Sequence, residues 1–408
     1  MAFEGFELHI PEPHRRPGEA PDFAYLDIPP AGATPRPDPT VPAAELHGLA
    51  YGLARVLDDE GAAVGPWQPQ IAPEMLRRGL KAMLLTRIFD DRMFRAHRQG
   101  KTSFYMKSTG EEAICTAQSL AMGAGDMCFP TYRVLGWLMA REYPLADLVN
   151  QIFSNALDPL RGRQLPILYS AREYGFYSLS GNLGTRFGHA AGWAMASAYR
   201  GDRNMALGYI GDGSTAEGDF HETLTFASVY HAPCILCITN NQWAISSFSG
   251  LAGADESPFA AKAIGYGLPG LRVDGNDFLA VWAATQWAVE RAQAGLGATL
   301  IEFFTYRVEG HSTSDDPGRY RPSDEATAWP LGDPIERLRR HLELIGEWDA
   351  ARHDALIKQL DDEVRAAVKN SEAVGAHGKS KPPVTEMFEG VYRSPDWRQI
   401  EQRREAGV

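Results

Sequence analysis

Residues 205–241, MALGYIGDGSTAEGDFHETLTFASVYHAPCILCITNN, constrain the fold more than any other stretch. Two short apolar runs, MALGYI and CILCIT, flank a segment of helix length, GDFHETLTFASVYHA. Apolar runs of this length read as strands buried on both faces. A strand–helix–strand unit with this spacing closes as a right-handed crossover between parallel strands, so both strands finish at one sheet edge. The alternation returns downstream in LRVDGND, FLAVWAATQWAVERAQAG and TLIEFFTYR, and a short strand, DMCFP, precedes it at 126–130. The expected fold class is therefore α/β, a mostly parallel sheet with helices on both faces. The proline-rich residues 1–72 (PEPHRRPGEAP, IPPAGATPRPDPTVP) read as an extended N-terminal arm lying on a surface, its own chain's or a partner's, where it would serve assembly. Residues 73–332 read as the α/β domain, opening with a helix at Pro73. Residues 333–408 read as a helical, charged C-terminal region, with GAHGKSKPP (375–383) as a flexible connector.

Charge narrows the partners. The 408-residue chain carries a formal net charge of −12. An acidic surface argues against nucleic acid or an anionic membrane as the main partner. No run of apolar residues is long enough to span a bilayer. The N-terminus, with Glu4, Glu7 and Glu12, lacks the layout of a signal or transit peptide, so a cytoplasmic location is expected. Cys115, Cys128, Cys234 and Cys237 are too few for a disulfide framework. Cys234 and Cys237 have CxxC spacing, but they lie in a predicted strand, where residues three apart point to opposite faces. No second CxxC completes a zinc site.

The chemistry sits at the strand ends. The first strand finishes in Gly211-Asp212-Gly213-Ser214 and the second in Asn240-Asn241; Asp212 and Asn241 are 29 positions apart (241 − 212). Ligands of open α/β sheets bind at that edge. Glycines at such a turn commonly let backbone approach a phosphate, yet a carboxylate sits between them. A bare carboxylate ~4 Å from a phosphate charge costs about 4 kcal/mol at an effective dielectric of ~20, so a cation must intervene. Magnesium fits, because it takes oxygen ligands octahedrally and links carboxylates to phosphates. Asp212 and the Asn241 side chain would each give one oxygen, and the Trp243 carbonyl a third. Diphosphate oxygens and water would complete the shell. A dinucleotide fits less well: GDGSTAEG only loosely follows G-x-G-x-x-G, and the second strand ends in Asn rather than a ribose-binding acid.

The paired GDG and NN motifs resemble the diphosphate-binding motif of thiamine diphosphate enzymes. From about Ser103 to Tyr392 the chain resembles the α subunit of the 2-oxoacid dehydrogenase E1 component, branched-chain type. The matching stretches are SFYM…GEEA (103–113), YR (132–133), GRQLP (162–166), GDGSTAEGDFH (211–221), NNQWAIS (240–246), RVDGND (272–277) and YRVEGHSTSDDPGRYR (306–321). The resemblance implies thiamine diphosphate and Mg2+ as cofactors. It implies Arg133, after Tyr132, on a terminal phosphate, where a guanidinium fork suits the task. It places Ser180 and Leu183, with Thr185, near the aminopyrimidine ring or a structural monovalent cation. It makes His311 the active-site histidine that helps pass the acyl group to lipoamide, and aligns Ser312 with a regulatory phosphoserine of mitochondrial relatives. The chain departs from the pattern at Asn182, Arg186, Thr239 and Leu168; Arg186 could supply the monovalent cation's charge itself.

In this family the glutamate that contacts the aminopyrimidine belongs to a second polypeptide. The resemblance therefore implies a β subunit in an α2β2 heterotetramer, a lipoyl-bearing E2 acyltransferase as acceptor, and branched-chain 2-oxoacids as substrates. The Phe104-Tyr105-Met106 run is a candidate pocket wall, with ordinary core as the other reading. Alternatives are an E1α acting on pyruvate or acetoin, a non-catalytic magnesium–diphosphate-binding subunit, and a nicotinamide-dependent dehydrogenase. The Asp212 carboxylate and the asparagine pair disfavour the last.

Overall fold

The computed structural model describes residues 8–376, 379, 383–390 and 392–408; most of the connector read at 375–383 lies outside them. Among the described residues seven strands occur in chain order: β1 (Met127–Phe129), β2 (Ala206–Gly211), β3 (Cys234–Asn240), β4 (Trp243–Ala244), β5 (Ser247–Phe248), β6 (Gly270–Asp274) and β7 (Thr299–Phe304). Five form a parallel sheet in the order β1-β2-β3-β7-β6, while β4 and β5 make a small antiparallel hairpin just after β3. The predicted crossover is present: β2 leads through the helix Gly218–Val229 into β3, with Gly211 registered against Thr239.

Every residue of β3 is buried, and its side chains divide between two cores. Cys234, Leu236 and Ile238 pack with Phe187 and Phe220 from the helices Thr185–Tyr199 and Gly218–Val229. Ile235 and Cys237 face the opposite core, with Phe89, Trp137 and Trp287, built largely from the helices Pro73–Arg98, Glu112–Ala121 and Phe278–Gln293. The period of two thus puts the CxxC cysteines on opposite faces of the sheet. All four cysteines are free and buried, and no cluster of three or more His, Cys, Asp or Glu suited to a metal occurs among the described residues.

The proline-rich segment lies on its own chain. Proline offers a carbonyl but no N–H, so such a segment packs wherever the surface supplies donors. Trp67, Trp287 and Arg291 donate to the carbonyls of Pro35, Pro37 and Pro39 at 3.1, 2.9 and 2.8 Å. Further on, Ala54 pairs with the outer side of β6 through Ala54 N to Arg272 O (2.9 Å) and Asp274 N to Ala54 O (3.0 Å), which covers an open sheet edge. Asp277 caps the helix Phe278–Gln293 and also accepts the Val56 and Leu57 amides at 2.8 and 2.6 Å. Arg337, on the helix Pro334–Leu344, reaches Asp274 at 2.7 Å and Asp277 at 3.3 Å. The RVDGND stretch therefore ties arm, sheet and C-terminal helices together. No helix among the described residues is long and apolar enough to cross a membrane.

One buried acid sets a pH dependence of stability. Asp90, inside the helix Pro73–Arg98, accepts Tyr105 Oη and Ser108 N, each at 2.6 Å. Burial pushes its carboxyl up to about 7, against the opposing pull of those two hydrogen bonds. The folded state then holds a proton that the unfolded state has already released. The associated stability is complete below the unfolded pKa and is lost as pH rises through about 7. Thermal unfolding from about pH 6 to about pH 8 should show a loss on the order of 1 kcal/mol that Asp90→Asn removes. An unchanged slope in the variant would assign the dependence elsewhere.

Candidate cofactor-binding site

A cavity of about 490 Å³ opens at the carboxyl ends of β2 and β3, the edge that parallel strands present to ligands. Tyr132, Arg133, Leu183, Gly211, Asp212, Gly213, Ser214, Asn241, Trp243 and His311 all line it, together with Glu111 and Thr239. A neighbouring cavity of about 500 Å³ shares Trp243, Phe248 and Ser249 and is bordered by Phe23 and Tyr25 of the arm. Asp212, Arg133 and His311 line only the former, so the groups able to bind an anion through a metal converge there.

The glycines differ in purpose. A Cβ on Gly213 would lie 2.6 Å from the Ala244 Cβ, so the β4–β5 hairpin can close over the loop only above a glycine. A Cβ on Gly211 would meet nothing within 4 Å, so its absence leaves bare backbone beside the cavity. Asp212 is 2% exposed. Its Oδ1 accepts the Gly213 amide at 2.8 Å, while its buried Oδ2 has no hydrogen-bond partner among the described residues. Burial pushes this carboxyl up to about 7; the Gly213 amide and the Arg307 charge pull it down.

Asn241 lies across from it on the β3 loop. Its Nδ2 donates to Glu111 Oε1 at 2.7 Å, and its Oδ1 accepts the Trp243 amide at 3.3 Å. The Trp243 carbonyl is fixed by the buried Arg307, whose Nη1 donates to it at 2.8 Å while Nη2 donates to Ile245 O at 2.8 Å. Arg133 is buried, with Nη1 donating to Lys107 O (2.8 Å), Nη2 donating to His311 O (2.9 Å) and Nε 3.4 Å from Glu111 Oε1.

His311 packs edge-on against Tyr132 with ring centroids 5.7 Å apart, and its Nδ1 is 3.4 Å from Arg133 Nη2. Its backbone amide donates to Asp315 Oδ2 at 2.6 Å, an atom that also accepts the Tyr320 hydroxyl. Burial, then Arg133 and Arg307, hold the imidazole down to about 3, so the ring is neutral here. A neutral ring facing a guanidinium through Nδ1 carries its proton on Nε2.

Ser180 and Thr185, which the resemblance places near the ring or the cation, lie outside the lining. The Ser180 side chain is held locally. Its hydroxyl accepts Thr185 Oγ1 at 3.0 Å and the Asn182 amide at 3.2 Å. Beside it the buried Arg186 donates to the carbonyls of Ser180, Asn182 (3.3 Å) and Tyr209 (3.2 Å). A guanidinium thus gathers carbonyl oxygens where the resemblance places a monovalent cation. The Phe104-Tyr105-Met106 run does not line the cavity: Tyr105 and Met106 are buried in the core and Phe104 packs on it. Sequence reasoning assigned no part to Glu111 or Arg307. Glu111 stands just before a helix, where an acid is ordinarily favourable to the helix dipole, so its local sequence does not mark it as a site residue.

The donor set suits a hard divalent cation: one carboxylate oxygen left unmatched, one carboxamide oxygen and one backbone carbonyl, all in or near a buried wall. The volume suits a cofactor of moderate size.

Comparison with known proteins gives the same direction. Residues 80–380 match the family described as dehydrogenase E1 component, and residues 4–44 match the 2-oxoisovalerate dehydrogenase E1 alpha subunit N terminal family. The chain is 55% identical over 407 residues to a Pseudomonas aeruginosa 2-oxoisovalerate dehydrogenase subunit alpha, covering 100% of this chain and 99% of that protein. It is 37% identical over 343 residues to the mitochondrial 2-oxoisovalerate dehydrogenase subunit alpha of Bos taurus, covering 84% and 74%. Against the Homo sapiens counterpart the identity is 36% over 343 residues, covering 84% and 76%.

Proposed function

The chain belongs to the dehydrogenase E1 component family, and from that premise we propose that it is the α subunit of a branched-chain 2-oxoacid dehydrogenase. With a β subunit it catalyses oxidative decarboxylation of 3-methyl-2-oxobutanoate and related acids, and the acyl group passes to the lipoyl group of an E2 acyltransferase. The family uses thiamine diphosphate. That coenzyme, when bound, supplies the electron sink that lets carbon dioxide leave.

The observation that carries the site assignment is the unmatched, buried Asp212 Oδ2 at the end of β2. In this reading Asp212, Asn241 Oδ1 and the Trp243 carbonyl hold Mg2+. Arg133 and Tyr132, with the backbone of Gly211, Gly213 and Ser214, face the diphosphate. Leu183 borders the ring system with Ser180 behind it. His311 holds a proton on Nε2 beside the reacting centre; the anionic diphosphate, arriving next to Arg133, raises its affinity for a second one.

The acids in the lining are, among the described residues, Glu111 and Asp212. The family resemblance places the glutamate for the aminopyrimidine on a β subunit, and in this reading the coenzyme lies between unlike chains of an α2β2 heterotetramer. Leu183, Ile245 and Leu251, about half exposed on the rim, are the apolar surface such a partner covers. The test is the coexpressed pair with a lipoyl-domain acceptor: kcat/KM for 3-methyl-2-oxobutanoate should exceed that for pyruvate by about tenfold or more, the discrimination that extra buried methyl groups give. A preference for pyruvate would overturn the substrate assignment.

A further inference from the structure

We propose that Glu111 is a positioning residue that orients the Asn241 amide and the Arg133 guanidinium toward the metal and the diphosphate, an inference that rests on the reading of the site given above. One atom makes both contacts. Glu111 Oε1 accepts Asn241 Nδ2 at 2.7 Å and lies 3.4 Å from Arg133 Nε. The carboxylate is 5% exposed and lines the cavity, so these are protected interactions rather than surface ones.

Local sequence makes this side chain free for the task. Gly110 has φ +98°, and a Cβ there would lie 2.3 Å from Tyr306 O, so only glycine lets the chain turn here. The turn is then held without the Glu111 side chain. The Glu111 amide donates to Ser108 O at 2.9 Å, and Glu112 accepts the Gly110 amide and Arg87 Nε, both at 2.8 Å. Of the two adjacent acids, one builds the turn and the other is delivered into the cavity.

Chemistry supplies the reason. A carboxamide has a donor end and an acceptor end, and its flip about the terminal torsion costs little by itself. A cation needs the oxygen. An ionised carboxylate accepts only, so against Glu111 the Asn241 amide must present Nδ2, which leaves Oδ1 as the end available to the metal. Rotated by half a turn, the amide would set oxygen against oxygen at Glu111 and an N–H against the cation. The same Oε1 fixes Arg133 through Nε. With Nη1 donating to Lys107 O, and Nη2 donating to His311 O and facing His311 Nδ1, the second Nη1 proton is the one left for phosphate.

The test uses the assembled complex, stripped with EDTA and held at saturating thiamine diphosphate, with Mg2+ titrated by calorimetry or tryptophan fluorescence. Glu111→Gln keeps the size but can donate or accept, so it no longer selects one amide orientation. It should raise the Mg2+ needed for half-saturation by about tenfold, the usual effect of removing a group that orients a metal ligand. The ligand-free thermal midpoint should not fall, and kcat should recover at high Mg2+. Glu111→Ala should shift the Mg2+ requirement in the same direction by at least as much. Wild-type Mg2+ half-saturation in both variants would overturn the assignment, as would a loss of kcat that Mg2+ does not restore. Asp212→Ala separates the two levels of inference. If it abolishes Mg2+ dependence while the Glu111 variants match wild type, only the role of Glu111 falls. If it too leaves the Mg2+ response intact, the reading of the whole site falls.

Discussion

Asp212→Ala should weaken thiamine diphosphate binding to the assembled complex by about 100-fold or more, and should make the residual binding indifferent to EDTA. The expectation follows from a single oxygen. Asp212 Oδ2 is buried in the cavity wall with no hydrogen-bond partner among the described residues. A buried carboxylate left half-satisfied costs stability, and the carboxyl's rise to about 7 expresses that cost. The protein retains it because a cation arriving with the coenzyme matches it. Two opposite effects should therefore accompany the substitution. The ligand-free complex should unfold at a higher temperature, since removing an unmatched buried carboxylate relieves about 1–3 kcal/mol. The stabilisation that coenzyme and Mg2+ normally add should disappear. Calorimetric titration with and without EDTA checks the loss of binding, and thermal unfolding with and without coenzyme and Mg2+ checks the two effects on stability. Coenzyme affinity that survives the substitution and ignores EDTA in the wild-type complex would remove the metal from the account.

His311→Ala should lower transfer of the acyl group to a lipoyl-domain acceptor by about 10²–10⁴-fold, the range for losing a positioned acid–base group. Decarboxylation followed with an artificial one-electron oxidant should fall by much less. The setting of the ring gives the reason. It lies against Tyr132, within 3.4 Å of Arg133 Nη2 through Nδ1, on a loop fixed by Asp315 and Tyr320. Two guanidinium charges and burial keep it neutral in the free site. A neutral imidazole can give up or accept a proton only as the charge around it changes, and the diphosphate is the largest such change available. Equal losses in both assays would mean that His311 serves only coenzyme binding; no loss in either would leave it without a catalytic part.

Much of the fold was legible because its signals are local. Apolar runs, their spacing and the helix-length segments between them predicted five strands that the structure joins in one parallel sheet, from Met127–Phe129 to Thr299–Phe304. The opposite-face argument for Cys234 and Cys237 needed only the strand period, and the two cores bear it out. The aromatic run at 104–106 shows the limit. Apolar residues before a helix fit a pocket wall and a core equally well, and only the packing of Tyr105 on Asp90 decides between them.

By itself, then, the sequence determined that a carboxylate and a carboxamide end two neighbouring parallel strands, because strand order along the chain and the handedness of the crossover fix a shared edge. Tertiary structure alone decided which groups meet them there. Glu111 approaches Asn241 across 130 positions, and Arg133 approaches His311 across 178. Contacts between residues so distant in the chain leave no periodic trace in it. They exist only once the helices have closed on the sheet, and that closure is what brings a donor to one end of an amide and leaves the other end free.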